Sequence, residues 1–280
     1  MTIQEAQQQL LFQLFHIYDD REARNIADLV MEHITEWKRI DRIINKSVPL
    51  SVIKEKVLSQ FIAQLLDHKP VQYVLHESWF AGLKFYVDEN VLIPRPETEE
   101  LVDWISKENS KGVMLDIGTG SGCIPVSLKK KLPLADIHAC EISAGALTVA
   151  QKNAHDNKTS IQFHQLNFLD PEQRRTLPAF NIIVSNPPYI PQKDKSDMHK
   201  NVLEHEPHIA LFVEDDDPLI FYKAIAEFAN DHLQKDGAIY VEIHEALGEA
   251  VVALFIQYGF TKTFLRKDLQ DRDRMVKAMR

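Results

Sequence analysis

Cysteine, glycine, long apolar runs and positive charge are all in short supply in this chain, and each shortage excludes something. Two cysteines in 280 residues, Cys123 and Cys140, cannot build a disulfide framework, so both are expected to be buried thiols of a reducing compartment. No stretch approaches the roughly 18 consecutive apolar residues that a membrane span needs. The first residues, MTIQEAQQQLLFQLF, carry Glu5 and lack the basic start and unbroken apolar core of a signal peptide. A cytoplasmic protein with no membrane association is the expectation. Lys and Arg number 32 against 41 Asp and Glu, a net charge of -9 whose field repels a phosphate backbone unless a local basic patch overcomes it. No direct nucleic-acid target is therefore expected.

What is present is an ordinary globular composition, 45% hydrophobic and 26% charged, which supports a well-filled core. The length allows one substantial domain with a smaller companion. From about residue 2 to 75 apolar residues recur at helical spacing: Leu10, Leu11, Leu14, Phe15, then Ile26, Leu29, Val30, then Val57, Leu58, Phe61, Ile62, Leu65. Ser51 is placed to cap the last of these helices. Residues 1–75 are thus read as a small helical domain. Between Trp79 and Ile93 the period changes to two around Gly82 and Asp88-Glu89-Asn90, and residues 76–93 are read as a β-hairpin linker. Helical spacing resumes from Thr98 to about Lys107. After Lys111, strand-like runs (VMLDIG, DIHACEI, IQFHQLNF, NIIVSNPPY, AIYVEI) alternate with helical segments, and a hairpin from Thr261 to Met279 follows. Such alternation predicts an α/β domain over residues 94–280, with a parallel sheet covered on both faces.

Glycine is scarce, nine residues in all, yet Gly118, Gly120 and Gly122 fall together directly after Val113 to Ile117. Glycine permits positive φ and close approach of a ligand to the backbone. On their own these glycines also fit a bare strand-to-helix turn. Their G-x-G-x-G spacing departs from the G-x-G-x-x-G of pyrophosphate sites, and Asp116 would set a carboxylate beside a diphosphate. A ligand with a cationic amino group fits better. Glu141 ends the next strand, where an acidic residue grips ribose hydroxyls in nucleoside-binding α/β folds. A nucleoside carrying an amino-acid tail and no phosphate satisfies both carboxylates, which describes S-adenosyl-L-methionine. Gly118, Thr119, Gly120, Ser121 and Gly122, with Asp116 and Glu141, are the candidate cofactor residues.

Asn186-Pro187-Pro188-Tyr189 follows the buried run Ile182 to Ser185. Two prolines fix φ and remove two backbone donors, which leaves the Asn186 and Pro187 carbonyls free to face a ligand. With the Asn186 side-chain oxygen they form a rigid acceptor array for a planar NH2 group, and Tyr189 is expected to lie on that group's flat face. An amide or exocyclic amine held there can be methylated by alignment and electrostatics, without a strong base. A simple turn is the alternative. The glycine loop one strand-helix-strand step earlier favours the catalytic reading, because open α/β sheets bind ligands at strand carboxyl ends.

With those two segments, Pro70-Val71-Gln72-Tyr73, Trp79-Phe80 and Leu92-Ile93-Pro94-Arg95-Pro96-Glu97-Thr98-Glu99, the chain resembles the family of protein-glutamine N5-methyltransferases that modify the Gly-Gly-Gln motif of peptide chain release factors. Weaker matches are Glu206-Pro207 with Ala210-Leu211, and Lys267-Asp268-Leu269 ahead of Arg272-Asp273-Arg274. The resemblance implies a Rossmann-like class I methyltransferase domain with a mostly parallel seven-stranded sheet behind a helical substrate-recognition domain. It implies a release factor as protein substrate; a monomer is expected. It implies that Phe168 flanks the adenine, that Asn186 borders the cofactor, and that Asn186, Pro187, Pro188 and Tyr189 hold the glutamine amide. Glu141 and Asn167 stand where the family tends to have aspartate. Arg95 and Glu97 fit either substrate contact or an interdomain salt bridge. The segment from Pro191 to Pro218 is longer than an ordinary loop and is read as a lid or binding loop. His199, His205 and His208 match no standard ligand spacing, so no metal is expected. The rival functions are N-methylation of a nucleic-acid base, and a non-catalytic cofactor-binding partner of translation.

Overall fold

Local signals account for the helices of the first 77 residues. They are α1 (Ile3–Leu14), α2 (Asp20–Thr35), α3 (Arg39–Ile44), α4 (Val52–Leu66) and α5 (Val71–Leu75) in a computed structural model that describes residues 1–280, the side chains of Ser196 and Asp197 excepted. Asp19 caps α2 by accepting from the Arg21 and Glu22 amides, and Ser51 caps α4 by accepting from Lys54. Leu10, Leu14, Ile26, Val30, Met31, Leu58, Ile62 and Leu65 meet in one core. Phe15 and Leu29 are the exceptions among the helically spaced residues: both face outward, Phe15 just past the end of α1 and Leu29 because its neighbours Val30 and Met31 take the inward positions of α2.

The chain divides into two compact units, residues 1–77 with 199–205, and residues 78–198 with 206–280. The second unit opens with a hairpin of β1 (Ser78–Phe80) and β2 (Leu83–Phe85), turned through Ala81 and Gly82, both at positive φ. The period-two pattern runs on past this hairpin, but the strands stop at Phe85. Asp88 accepts from the Asn90 amide with its carboxylate and from Val91 with its carbonyl, which turns the chain irregularly while Val87, Val91 and Ile93 stay buried.

Next come α6 (Pro96–Glu108), β3 (Val113–Ile117), α7 (Cys123–Lys131), β4 (Asp136–Glu141), α8 (Ala144–Asp156), β5 (Gln162–Gln165), α9 (Pro171–Arg174) and β6 (Phe180–Ser185). The segment read as a lid is built, not structureless. It contains β7 (Ile190–Pro191), a 3-10 turn at Gln192–Asp197, α10 (Lys200–His205), another at His208–Ala210, and β8 (Phe212–Val213), which pairs with β7. Helix α10 belongs to the first unit. The chain ends with α11 (Ile220–His232), β9 (Leu233–Glu242), α12 (Gly248–Gln257), β10 (Lys262–Lys267) and β11 (Asp273–Met279).

Seven strands form one sheet in the order β10-β11-β9-β6-β3-β4-β5. The strands from β9 to β5 are parallel, and β11 and β10 add antiparallel pairs. This is the α/β architecture that the alternation predicts, with the seven-stranded Rossmann-like sheet that the resemblance implies. Its central strands are apolar on both faces because both are covered. Leu115, Ile183, Ile239 and Val241 pack with Tyr222, Ile225, Val251 and Phe255 on one side. Met114, Ile182, Val184 and Tyr240 pack with Leu101, Ile105, Val126 and Leu128 on the other. Strand β3 has β4 on one flank and β6 on the other, so the strand order switches beside it. A crevice at the carboxyl ends of β3 and β6 follows from that switch.

Candidate active site

A cavity of about 250 Å³ lies at that crevice. Gly118 and Gly120 line it after β3, Cys140 and Glu141 at the end of β4, Asn167 and Phe168 after β5, and Ser185 to Pro188 at the end of β6. The glycine loop, Glu141, Phe168 and Asn186-Pro187-Pro188, far apart in the chain, are thereby brought to one cavity. Tyr189, Asp116, Thr119, Ser121 and Gly122 do not line it.

The loop's shape follows from its glycines. Gly118, Gly120 and Gly122 have φ of 71°, 52° and 79°, where a Cβ is strained. At Gly118 and Gly120 the space a Cβ would occupy is open, whereas at Gly122 it would lie 3.1 Å from the Ala150 Cβ. The first two glycines therefore leave room for a ligand, and the third lets α7 and α8 approach. The Gly118 and Thr119 amides donate to the Cys140 carbonyl, tying the loop to β4. Glu141 Oε2 accepts from the Gly120 amide at 3.0 Å, and Oε1 accepts from Ile142 and Ser143 at 2.9 and 3.0 Å. Its carboxylate is thus held at the rim of the cavity.

Asp116, behind the loop, is 1% exposed. Among the described residues neither of its oxygens, nor the Thr119 hydroxyl, has a hydrogen-bond partner. Burial pushes its carboxyl up to about 7 against the opposing pull of the nearby Thr119 hydroxyl, which falls short of hydrogen-bond geometry, and the Glu141 charge adds to the rise. An orphaned carboxylate beneath an open glycine loop is matched to a ligand that brings a cationic donor. Phe168, 5% exposed, presents a flat apolar wall. These features fit S-adenosyl-L-methionine.

At the end of β6 the Ser185 hydroxyl donates to the Ile117 carbonyl at 2.8 Å and fixes the two central strand ends together. Asn186 Nδ2 donates to Thr98 Oγ1 at 3.1 Å, and Thr98 Oγ1 donates to Glu242 Oε2 at 2.7 Å. The Tyr189 hydroxyl donates to Glu242 Oε1 at 3.4 Å, and the Tyr189 ring meets His244 edge to face. Tyr189 therefore reaches back toward β9, and burial beside Glu242 raises its phenol. Glu242 itself is 1% exposed, and burial pushes its carboxyl up to about 7 against the opposing Thr98 hydrogen bond and Arg274 charge.

Thr98 and Glu242 carry no role in the sequence reading. The signal for Glu242 is the one that marks Asp116: a carboxylate inside an otherwise apolar strand, AIYVEI beside VMLDIG. Arg95 Nη2 pairs with Glu206 Oε1 at 2.6 Å, inside the second unit, which displaces the interdomain salt bridge considered for it. Among the described residues no cluster of His, Cys, Asp or Glu has the geometry of a metal site, and no helix is long and apolar enough to cross a membrane.

Comparison with known proteins gives these features a family. The profile of the PrmC N-terminal domain matches residues 5–75, and that of the Methyltransferase small domain matches residues 96–209. The release factor glutamine methyltransferase of Flavobacterium psychrophilum is 45% identical over 99% of both chains. That of Bacteroides thetaiotaomicron is 38% identical over 94% of this chain and 95% of its own. Among solved structures, the hMettl16 catalytic domain bound to the MAT2A 3'UTR hairpin 6 superposes with a TM-score of 0.56 at 14% identity, covering 83% of this chain and 84% of that one. A methyltransferase from Pyrococcus furiosus gives 0.53 at 18% identity, covering 79% and 98%. These two share the fold. The full-length relatives, the two domain profiles and the residues gathered at the cavity together make the chain a member of the release factor glutamine methyltransferase family.

Proposed function

We propose that the chain transfers a methyl group from S-adenosyl-L-methionine to the side-chain N5 of the glutamine in the Gly-Gly-Gln motif of peptide chain release factors. The observation that carries this reading is the single cavity bordered both by the glycine loop with Glu141 and by Asn186-Pro187-Pro188. When bound, the cofactor supplies an electrophilic methyl group on a sulfonium.

The chain's own residues have the remaining tasks. Asp116 would meet the cationic amino group, and Glu141 the ribose hydroxyls. Phe168 would lie against the adenine, and the Gly118 to Gly122 backbone, with Thr119 and Ser121, would follow the tail. Asn186 Oδ1 and the Pro187 carbonyl would accept the two N–H donors of the glutamine amide, weakening its resonance and aiming its lone pair. Pro188 keeps that array rigid. Tyr189 contributes from behind, through Glu242, in place of the stacking contact expected of it. Held so, the amide nitrogen would take the methyl group as its bond to the cofactor's sulfur breaks, leaving the neutral thioether, and the nitrogen's proton would pass to water.

Residues 1–75 would recognise the release factor and residues 76–93 would link them to the transferase domain of 94–280. The protein would act in the cytoplasm as a monomer, on protein and not on nucleic acid, in keeping with its net charge of -9. Incubation with labelled cofactor and a release factor, repeated with Gln→Ala in the Gly-Gly-Gln motif, tests the assignment. Label is expected only with glutamine present, as one methyl group on the tryptic peptide that carries it. Undiminished labelling of the variant would sink the reading, and labelling of RNA or DNA instead would establish a base as the acceptor.

A further inference from the structure

An asparagine amide presents an oxygen at one end and two N–H donors at the other, and the two ends nearly coincide in shape. At Asn186 the difference decides whether the cavity meets an acceptor or a donor. A target NH2 group needs the acceptor, so something must hold the side chain against a half-turn about its last bond.

The partners behind Asn186 impose that direction. An ionised Glu242 carboxylate only accepts, so Thr98 Oγ1, 2.7 Å away, must donate its one proton there. Having spent its donor, the hydroxyl can only accept from Asn186 at 3.1 Å, so Nδ2 must face Thr98 and Oδ1 must face the cavity. Thr98 is 2% exposed and Glu242 1%, so water is poorly placed to substitute for either. Pro96 at the start of α6 sets the helix turn on which Thr98 stands.

We propose that Thr98 and Glu242 are positioning residues for methyl transfer, and that their one-way hydrogen bonds hold the Asn186 side-chain oxygen toward the acceptor nitrogen. The proposal rests on the reading of Asn186 as the amide-binding residue and extends it.

Protonation reverses the logic. A neutral Glu242 can donate to Thr98, which can then donate to Asn186 Oδ1 and turn Nδ2 toward the cavity, donor against donor. Glu242 is faced by Thr98 and Glu97 of α6, Cys123 of α7, Tyr189 beyond β6, Tyr222 of α11, whose hydroxyl donates to the Glu242 carbonyl, and Arg274 of β11. Burial raises the carboxyl and Arg274 and the Thr98 hydroxyl oppose that rise, leaving it at about 7. The orientation of Asn186 is thereby linked to pH near neutrality.

The test compares Thr98→Val, Thr98→Ser and Glu242→Gln with the unaltered chain, using a release factor as acceptor. Thr98→Val is expected to lower kcat about ten- to a hundredfold, with cofactor Kd within about twofold. Thr98→Ser, which keeps the hydroxyl, should recover most of the rate. The fall in kcat below pH about 7 should vanish in Glu242→Gln. Unchanged kcat in Thr98→Val, or equal losses in the Val and Ser variants, would overturn the proposal. A second arm needs no methyl acceptor: the Asn186 side-chain ¹⁵N–H2 resonances should titrate with Glu242 in the unaltered chain and cease to do so in Thr98→Val. Persistence of that titration in Thr98→Val would also overturn it. If the unaltered chain does not methylate the release factor, the glutamine reading falls, and the resonance arm still decides on the positioning pair.

Discussion

Arg95 and Glu206 form an ion pair of 2.6 Å in which the carboxylate side is almost wholly buried, and the second oxygen of Glu206 accepts from the Ile93 amide at 3.2 Å. One carboxylate thus fastens the Pro94-Arg95-Pro96 turn to the stretch just before Ile209 and Ala210, which line the cavity. Glu206→Ala should lower stability by about 1–3 kcal/mol, since Arg95 is a third exposed and can rehydrate. It should also weaken cofactor binding more than Arg95→Ala does, because it frees the Ile93 amide as well. Thermal unfolding and calorimetric titration of both variants check this.

Asp116 gives the ligand-free protein a definite pH dependence. Its folded carboxyl is raised from 3.8 to about 7, so between those values the folded chain holds a proton that the unfolded chain has lost. Stability therefore falls as pH rises through that window, by at most on the order of 4 kcal/mol from this group. Asp116→Asn should flatten the fall in the ligand-free protein and, on the role proposed for Asp116 at the cofactor's amino group, cut cofactor affinity at least about thirtyfold. Melting curves at pH 5 and pH 8, with and without cofactor, separate the two effects. Equal slopes in variant and unaltered chain would refute the assigned burial cost.

Much of this site is legible in the chain, because the features that make it are local. Positive φ in a glycine turn, acceptor carbonyls exposed by two prolines and acidic strand ends are each written within a few residues. What is not legible is reach across the fold. Tyr189 directly follows cavity residues in sequence, but its ring meets His244 and its hydroxyl meets Glu242. The Thr98 and Glu242 contact spans 144 positions, and no spacing rule connects them. Glu206, likewise, is named only as part of a weak motif until Arg95 and Ile93 are seen to share it.

Asn186→Ala should reduce kcat by about 10²–10³, the usual cost of one preorganised hydrogen-bonding partner at a reacting group. Cofactor affinity should change far less. Single-turnover methylation and equilibrium binding, run on the same preparation, give both numbers; parallel losses in the two would argue that Asn186 serves mainly the cofactor.

The three glycines should respond differently to alanine. At Gly122 a positive φ of 79° adds to a contact of 3.1 Å with Ala150, so Gly122→Ala should cost about 2–4 kcal/mol of stability. Gly118→Ala meets open space and carries only the φ strain, about 1–2 kcal/mol, yet its methyl enters the volume left for a ligand. Denaturant unfolding should therefore rank Gly122→Ala as the less stable, and cofactor titration should rank Gly118→Ala as the weaker binder for its stability.

Strand β11 follows both β9 and β10 in the chain, yet it lies between them in the interior of the sheet. A nascent chain that has displayed β9 and β10 must leave a gap of one strand between them, with two rows of unmet backbone donors and acceptors. Arg274, which opposes the rise of the Glu242 carboxyl, arrives on that same strand. Both the sheet and the charge balance behind Asn186 are therefore complete only once residues 273–279 have docked between β9 and β10, a closure that joins segments distant in the chain.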